Sequence, residues 1–88
     1  MEITDLRIVP IKNEKFLRAY VSATFDDELV IHNIRIVELE NRLVLSMPNK
    51  KTKDGEYKDY VHPISPAFRK KITEKILSEY EAVISSER

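Results

Sequence analysis

The sequence predicts an α+β fold: a small antiparallel sheet of about four strands, a projecting polar hairpin and one C-terminal amphipathic helix. Two observations carry this. The first 48 residues alternate apolar and polar side chains in short runs broken by polar turns, whereas the last quarter repeats its apolar residues at helical spacing. A chain of 88 residues has room for one domain spanning 1–88, and its modest core leaves association an attractive way to bury more surface.

Met1 to Val9 reads as a first strand stopped by Pro10, with Lys12-Asn13-Glu14-Lys15 as the turn that follows. In Phe16 to Phe25 the period is clearer. Leu17, Ala19, Val21, Ala23 and Phe25 fall on one side, and Arg18, Tyr20, Ser22 and Thr24 on the other, so one face meets a core. Asp26-Asp27-Glu28 is a polar break of hairpin length. Leu29 to Leu39 then places apolar residues on both sides for part of its length, as expected of a central strand or one covered by a partner. Asn41-Arg42 turns the chain into a fourth strand through Leu43, Leu45 and Met47, ended by Pro48.

Asp54-Gly55 lies between polar flanks in NKKTKDGEYKD, residues 49–59, and predicts a hairpin closed by a type I′ turn. Such flanks supply no core, so the hairpin is expected to stand out from the body. Ser65-Pro66 is a helix start, with a side-chain cap followed by proline at the first helical position. The stripe Phe68, Ile72, Ile76, Tyr80 and Ile84, flanked by Leu77 and Val83, predicts a helix folded onto one face of the sheet.

Composition narrows the chemistry. Without cysteine there are no disulfides, thiolate nucleophiles or Cys-type metal sites, and the acidic, alternating N-terminus gives no sign of a targeting or membrane segment. A cytoplasmic protein is expected. His32 sits in an apolar strand and His62 precedes a proline, and neither has a partner at catalytic or metal-ligand spacing. With a single glycine there is no phosphate-cradling loop, and the acidic turn lacks calcium-ligand spacing. The expectation is therefore not an enzyme, with no cofactor, metal or small-molecule substrate.

Charge is where the sequence becomes specific. Fifteen basic and fifteen acidic residues cancel, yet they are segregated. Residues 26–40 hold Asp26, Asp27, Glu28, Glu38 and Glu40 against Arg35, whereas Lys50, Lys51, Lys53 and Lys58 crowd the hairpin and Arg69, Lys70 and Lys71 the helix start. Cations at a helix N-terminus oppose the macrodipole, and suit an anionic ligand. Together these seven cations make a candidate phosphate-binding surface. Tyr57 stands among the lysines as a candidate stacking partner for an unpaired base, while Tyr60 reads more readily as a packing residue.

The run MPNKKTKDGEYKDYVHPI, with MEITDLRIVPI and AYVSATFDDELVIHNIRIVE before it and the helix after it, resembles the SpoVG family, the stage V sporulation protein G group of bacteria. The resemblance covers essentially the whole chain. It implies a small sheet with a C-terminal helix, usually homodimeric, that binds DNA and in some members RNA, regulates gene expression and, in spore formers, acts on septation and sporulation. The family's basic positions fall here on Lys50, Lys51, Lys58 and Arg69. Lys51 stands where the family often has arginine, keeping charge but losing a bidentate fork, and Lys53 where it often has proline. An alternative is a protein-interaction module whose lysines only keep an exposed hairpin soluble.

Overall fold

The computed structural model describes residues 1–86. Its order is β1 (Ile3–Pro10), β2 (Leu17–Phe25), β3 (Leu29–Leu39), β4 (Arg42–Ser46), β5 (Asn49–Lys51), β6 (Tyr57–Asp59) and α1 (Pro66–Ser86). β1 to β4 form an antiparallel meander in sequence order, and β5 and β6 a separate two-stranded sheet. This is the α+β architecture expected.

One face of the meander carries the core. Ala19, Val21, Ala23 and Phe25 of β2 and Ile34 and Ile36 of β3 are buried with Met47 and with Ile72, Ile76 and Tyr80 of the helix. Phe68, Leu77 and Ile84 pack against this cluster, as the helical stripe requires. Phe25 and Phe68 meet as tilted rings 5.9 Å apart. Ser65 caps the helix, its Oγ accepting from Phe68 N–H at 3.2 Å.

β3 looks doubly apolar because it is bulged. Val21 pairs with Ile34 but Ala23 with Ile31, so Ser22 faces both His32 and Asn33, and Asn33 takes the extra step at φ 64°. The bulge returns Ile34 and Ile36 to the side that Ile31 faces. A second irregularity between Leu17 and Ala19 pairs Leu17 with Val37, whose other neighbour is Val44. Leu17, expected on the core side, is therefore only half-buried and lies outside the core cluster.

The turns correct the sequence reading twice. Positive φ at both central residues occurs at Asp26-Asp27 and at Glu40-Asn41, the turn joining β3 to β4 one residue earlier than expected. The Asp54-Gly55 hairpin is not type I′. Gly55 alone has positive φ, 84°, and donates to the Thr52 carbonyl at 3.0 Å, while Thr52 N–H donates to the Glu56 carbonyl at 2.6 Å. This is a three-residue loop, a tight turn through Lys53 and Asp54 closed by a left-handed glycine.

The acidic turn also has a structural task. Asp26 Oδ1 accepts from Glu2 N–H at 2.8 Å, Asp26 N–H donates to the Glu2 carbonyl at 2.8 Å, and Asp27 N–H donates to Thr4 Oγ1 at 3.0 Å. These bonds tie the start of the chain to the β2–β3 hairpin. Lys71 adds a tie from the helix, its ammonium donating to the Glu2 carboxylate and the Met1 carbonyl.

Candidate nucleic-acid interface

Since Ala19 and Val21 point into the core, Tyr20 between them points to the opposite face, away from the helix. The register sets Tyr20 against Arg35, and Arg35 against Ser46, across three strands of that face. Pro48 then ends the meander and the chain enters the hairpin, where Lys51 pairs with Tyr57, Lys50 with Lys58 and Asn49 with Asp59. Tyr60 N–H donates to the Pro48 carbonyl at 2.7 Å, closing the hairpin base.

Sheet face and hairpin together wall an open groove. It is lined by Tyr20, Asn33 and Arg35 from the sheet, by Pro48, Asn49, Lys50 and Lys51, and by Tyr57 and Tyr60. No carboxylate is among the described residues that line it. Three tyrosines and three cations therefore face one space, in a protein with no net charge.

Asn49 fixes the Arg35 head. Its amide nitrogen donates to Met47 carbonyl at 2.8 Å and to Ser46 Oγ at 3.2 Å, which leaves Oδ1 to accept from Arg35 Nη2 at 3.2 Å. No carboxylate lies within 4.0 Å of that guanidinium among the described residues, so its charge is oriented without being neutralised. Lys50 opposite Lys58 is a like-charged cross-strand pair on exposed strands, an arrangement that works against the hairpin.

The structure divides the cations chosen from sequence. Lys50, Lys51 and Tyr57 line the groove, with Lys58 beside Lys50 and the exposed Lys53 in the loop. Arg69, Lys70 and Lys71 do not. Arg69 Nη2 donates to the Pro63 carbonyl at 3.1 Å and lines a depression with Leu43, Val44 and Leu45. Lys70 and Lys71 line another with Glu74 and Lys75, and both are ion-paired, Lys70 with Glu74 at 3.9 Å and Lys71 with Glu2. The Lys71 ammonium, by hydrogen bond and by charge, holds the Glu2 carboxyl below its ordinary value.

Tyr60, expected to pack, is 70% exposed, as is Tyr57. Arg35, Tyr20 and Asn49 were not singled out from sequence. Tyr20 and Arg35 occupy outward positions of their strands, which is the one signal the sequence offers for them; the bulge at Asn33 hides the pattern in β3. His32 also gains a neighbour that spacing did not show, its Nδ1 lying 2.9 Å from Ser22 Oγ across the bulge. No carboxylate lies within 4.0 Å of that ring among the described residues. No group of three or more His, Cys, Asp or Glu able to hold a metal occurs among the described residues.

The family model that matches the chain is SpoVG, over residues 1–82. A protein named "Putative septation protein SpoVG" from Clostridium acetobutylicum is 51% identical over 87 residues, covering 99% of this chain and 92% of that protein. The protein of the same name from Clostridium kluyveri is 48% identical over 87 residues, covering 99% and 91%. That of Caldicellulosiruptor saccharolyticus is 45% identical over 86 residues, covering 98% of each.

Proposed function

We propose that this chain, which belongs to the SpoVG family, is a nucleic-acid-binding regulator that binds DNA, and RNA as a second ligand, through the groove between sheet and hairpin. The observation that carries the reading is the gathering of Arg35, Lys50 and Lys51 in one open groove free of described carboxylates. Phosphates are the anions such a strip of cations fits best, because they recur along a polymer as the cations do along the groove. The Lys50–Lys58 pair points the same way: repulsion across the hairpin is relieved when an anion lies between the two ammonium groups.

The relatives' names attach them to septation, and the proposal extends that role to this chain, with gene expression as the level at which it acts and the cytoplasm as its place. No described helix is long and apolar enough to cross a membrane. The protein is proposed to act by binding, without a catalytic step, as one domain and as a homodimer. β1 and β4 are both sheet edges, and Ile64, 91% exposed, offers apolar surface for a second copy to cover.

Retention of random duplex DNA, single-stranded DNA and RNA, each at 50 and 200 mM salt, tests the reading. Contacts from Arg35, Lys50, Lys51 and Lys58 should cost roughly a hundredfold in affinity over that range. Binding that is indifferent to salt overturns it. Light scattering at micromolar concentration tests the dimer, and a monomer mass removes it.

A further inference from the structure

We infer that the groove takes unpaired bases: a single strand whose bases stack on Tyr20, Tyr57 and Tyr60 while its phosphates meet Arg35, Lys50 and Lys51. The inference rests on the nucleic-acid reading above and adds to it the form of the polymer and the residues that select it.

The tyrosine rings carry the argument. Tyr57 and Tyr60 are each 70% exposed and Tyr20 is 42% exposed, yet all three line the same groove. None pairs with another aromatic ring, the one such pair among the described residues being Phe25 with Phe68. None of their hydroxyls has a hydrogen-bond partner among the described side chains. Two of the rings are thus largely exposed and the third partly so, beside cations in one groove. Ten apolar residues are buried among those described, and three exposed tyrosines gathered on one surface of so small a protein mark a site for something to cover.

Duplex DNA does not cover them well. Its base faces are stacked on one another, and a side chain reaches a face only by prising a step apart. A single strand presents every base face without that cost, and stacking tolerates any sequence because every base has one. The cations are distributed to match. Arg35 approaches from the sheet, held by Asn49, and the two lysines from the hairpin, so the backbone of a strand can run along them while its bases turn toward the rings.

The chain's own fluorescence provides the test. It has four tyrosines and no tryptophan, and the fourth tyrosine, Tyr80, is only 6% exposed in the core. Stacking in the groove should therefore quench most of the solvent-facing tyrosine emission. The full chain is titrated with oligothymidylate, with oligouridylate and with a duplex, each of roughly 12 nucleotides per strand, within the site sizes of small single-strand-binding folds. Tighter binding of either single strand than of the duplex, with quenching, is expected. Tyr57→Ala and Tyr60→Ala should each weaken single-strand binding roughly tenfold with the salt slope unchanged, and Tyr57→Phe should retain it. Both positions are exposed, so the variants should keep the wild-type circular dichroism. Equal affinity for duplex and single strand, with no loss in the alanine variants, overturns the stacking inference and leaves the nucleic-acid reading standing. Absence of binding to any of the three overturns both.

Discussion

Arg35 donates from Nη2 to Asn49 Oδ1 at 3.2 Å, and Asn49 is locked by its own bonds to Met47 carbonyl and Ser46 Oγ. The guanidinium of β3 is thereby tied to the base of the hairpin, joining the two sheets at the groove. A preset arginine loses less freedom on meeting a phosphate than a waving one. Asn49→Ala should loosen the head and weaken nucleic-acid binding about fivefold, and Arg35→Ala should weaken it more. Isothermal titration at constant salt distinguishes the two, and equal affinity of all three proteins would remove Arg35 from the site.

Charge reversal at Lys50 and Lys51 separates nucleic-acid binding from protein recruitment. The double change to glutamate should abolish retention at 150 mM salt, and single alanine changes should each reduce the slope of log affinity against log salt by about 0.9. If the double variant still binds, the lysines serve the solubility of the hairpin.

Lys58→Glu places opposite charges across the hairpin in place of Lys50 facing Lys58. The hairpin should gain roughly 0.2 to 1 kcal/mol, seen as slower amide exchange at residues 49–59, while binding weakens. Gain of local stability with loss of affinity is the signature of a repulsion kept for a ligand.

Gly55 holds φ 84° where the hairpin loop closes. A Cβ added here would meet only the Lys51 Cε, at an ordinary contact distance of 4.0 Å, so Gly55→Ala meets backbone strain and no clash, at a cost of about 1 kcal/mol or more. Gly55→Asn should be milder, since asparagine tolerates this region. Limited proteolysis should nick the alanine variant faster within residues 52–56, and equal rates would refute the turn assignment.

The Glu2–Lys71 contact predicts a pH dependence. Lys71 lowers the Glu2 carboxyl, so the folded state holds this proton less tightly than the unfolded chain. Its contribution is therefore present above the ordinary carboxylate value, about 4.3, and is lost as pH falls through the lowered folded value. The gap in urea midpoint between wild type and Glu2→Gln should be open at pH 7 and should close as pH falls through the lowered folded value. Because the pair is exposed, added salt should narrow the gap at pH 7 as well.

Much of the fold follows from local pattern. The alternation of Ala19, Val21, Ala23 and Phe25, the cap at Ser65 and the stripe from Phe68 to Ile84 each constrain their own element, because period and capping act within a few residues. The same holds for the hairpin around Gly55 and for the cation-rich stretch it carries. Family membership, too, was legible in the run from Met47 to Ile64, which the family match covers.

Tertiary structure decided which of those cations share a surface. Tyr20 and Arg35 stand 15 positions apart and come together through a register that depends on the bulge at Asn33, one residue whose left-handed backbone no periodicity displays. The sequence likewise grouped Arg69, Lys70 and Lys71 with the hairpin lysines, because cations at a helix start suit an anionic ligand. The helix must bury Ile72, Ile76 and Tyr80 on the core face of the meander, and that burial carries Lys70 and Lys71 to another surface, where Glu74 and Glu2 neutralise them. Local charge density is written in the sequence; which charges stay unpaired beside three tyrosines is set by which face of the sheet the helix covers.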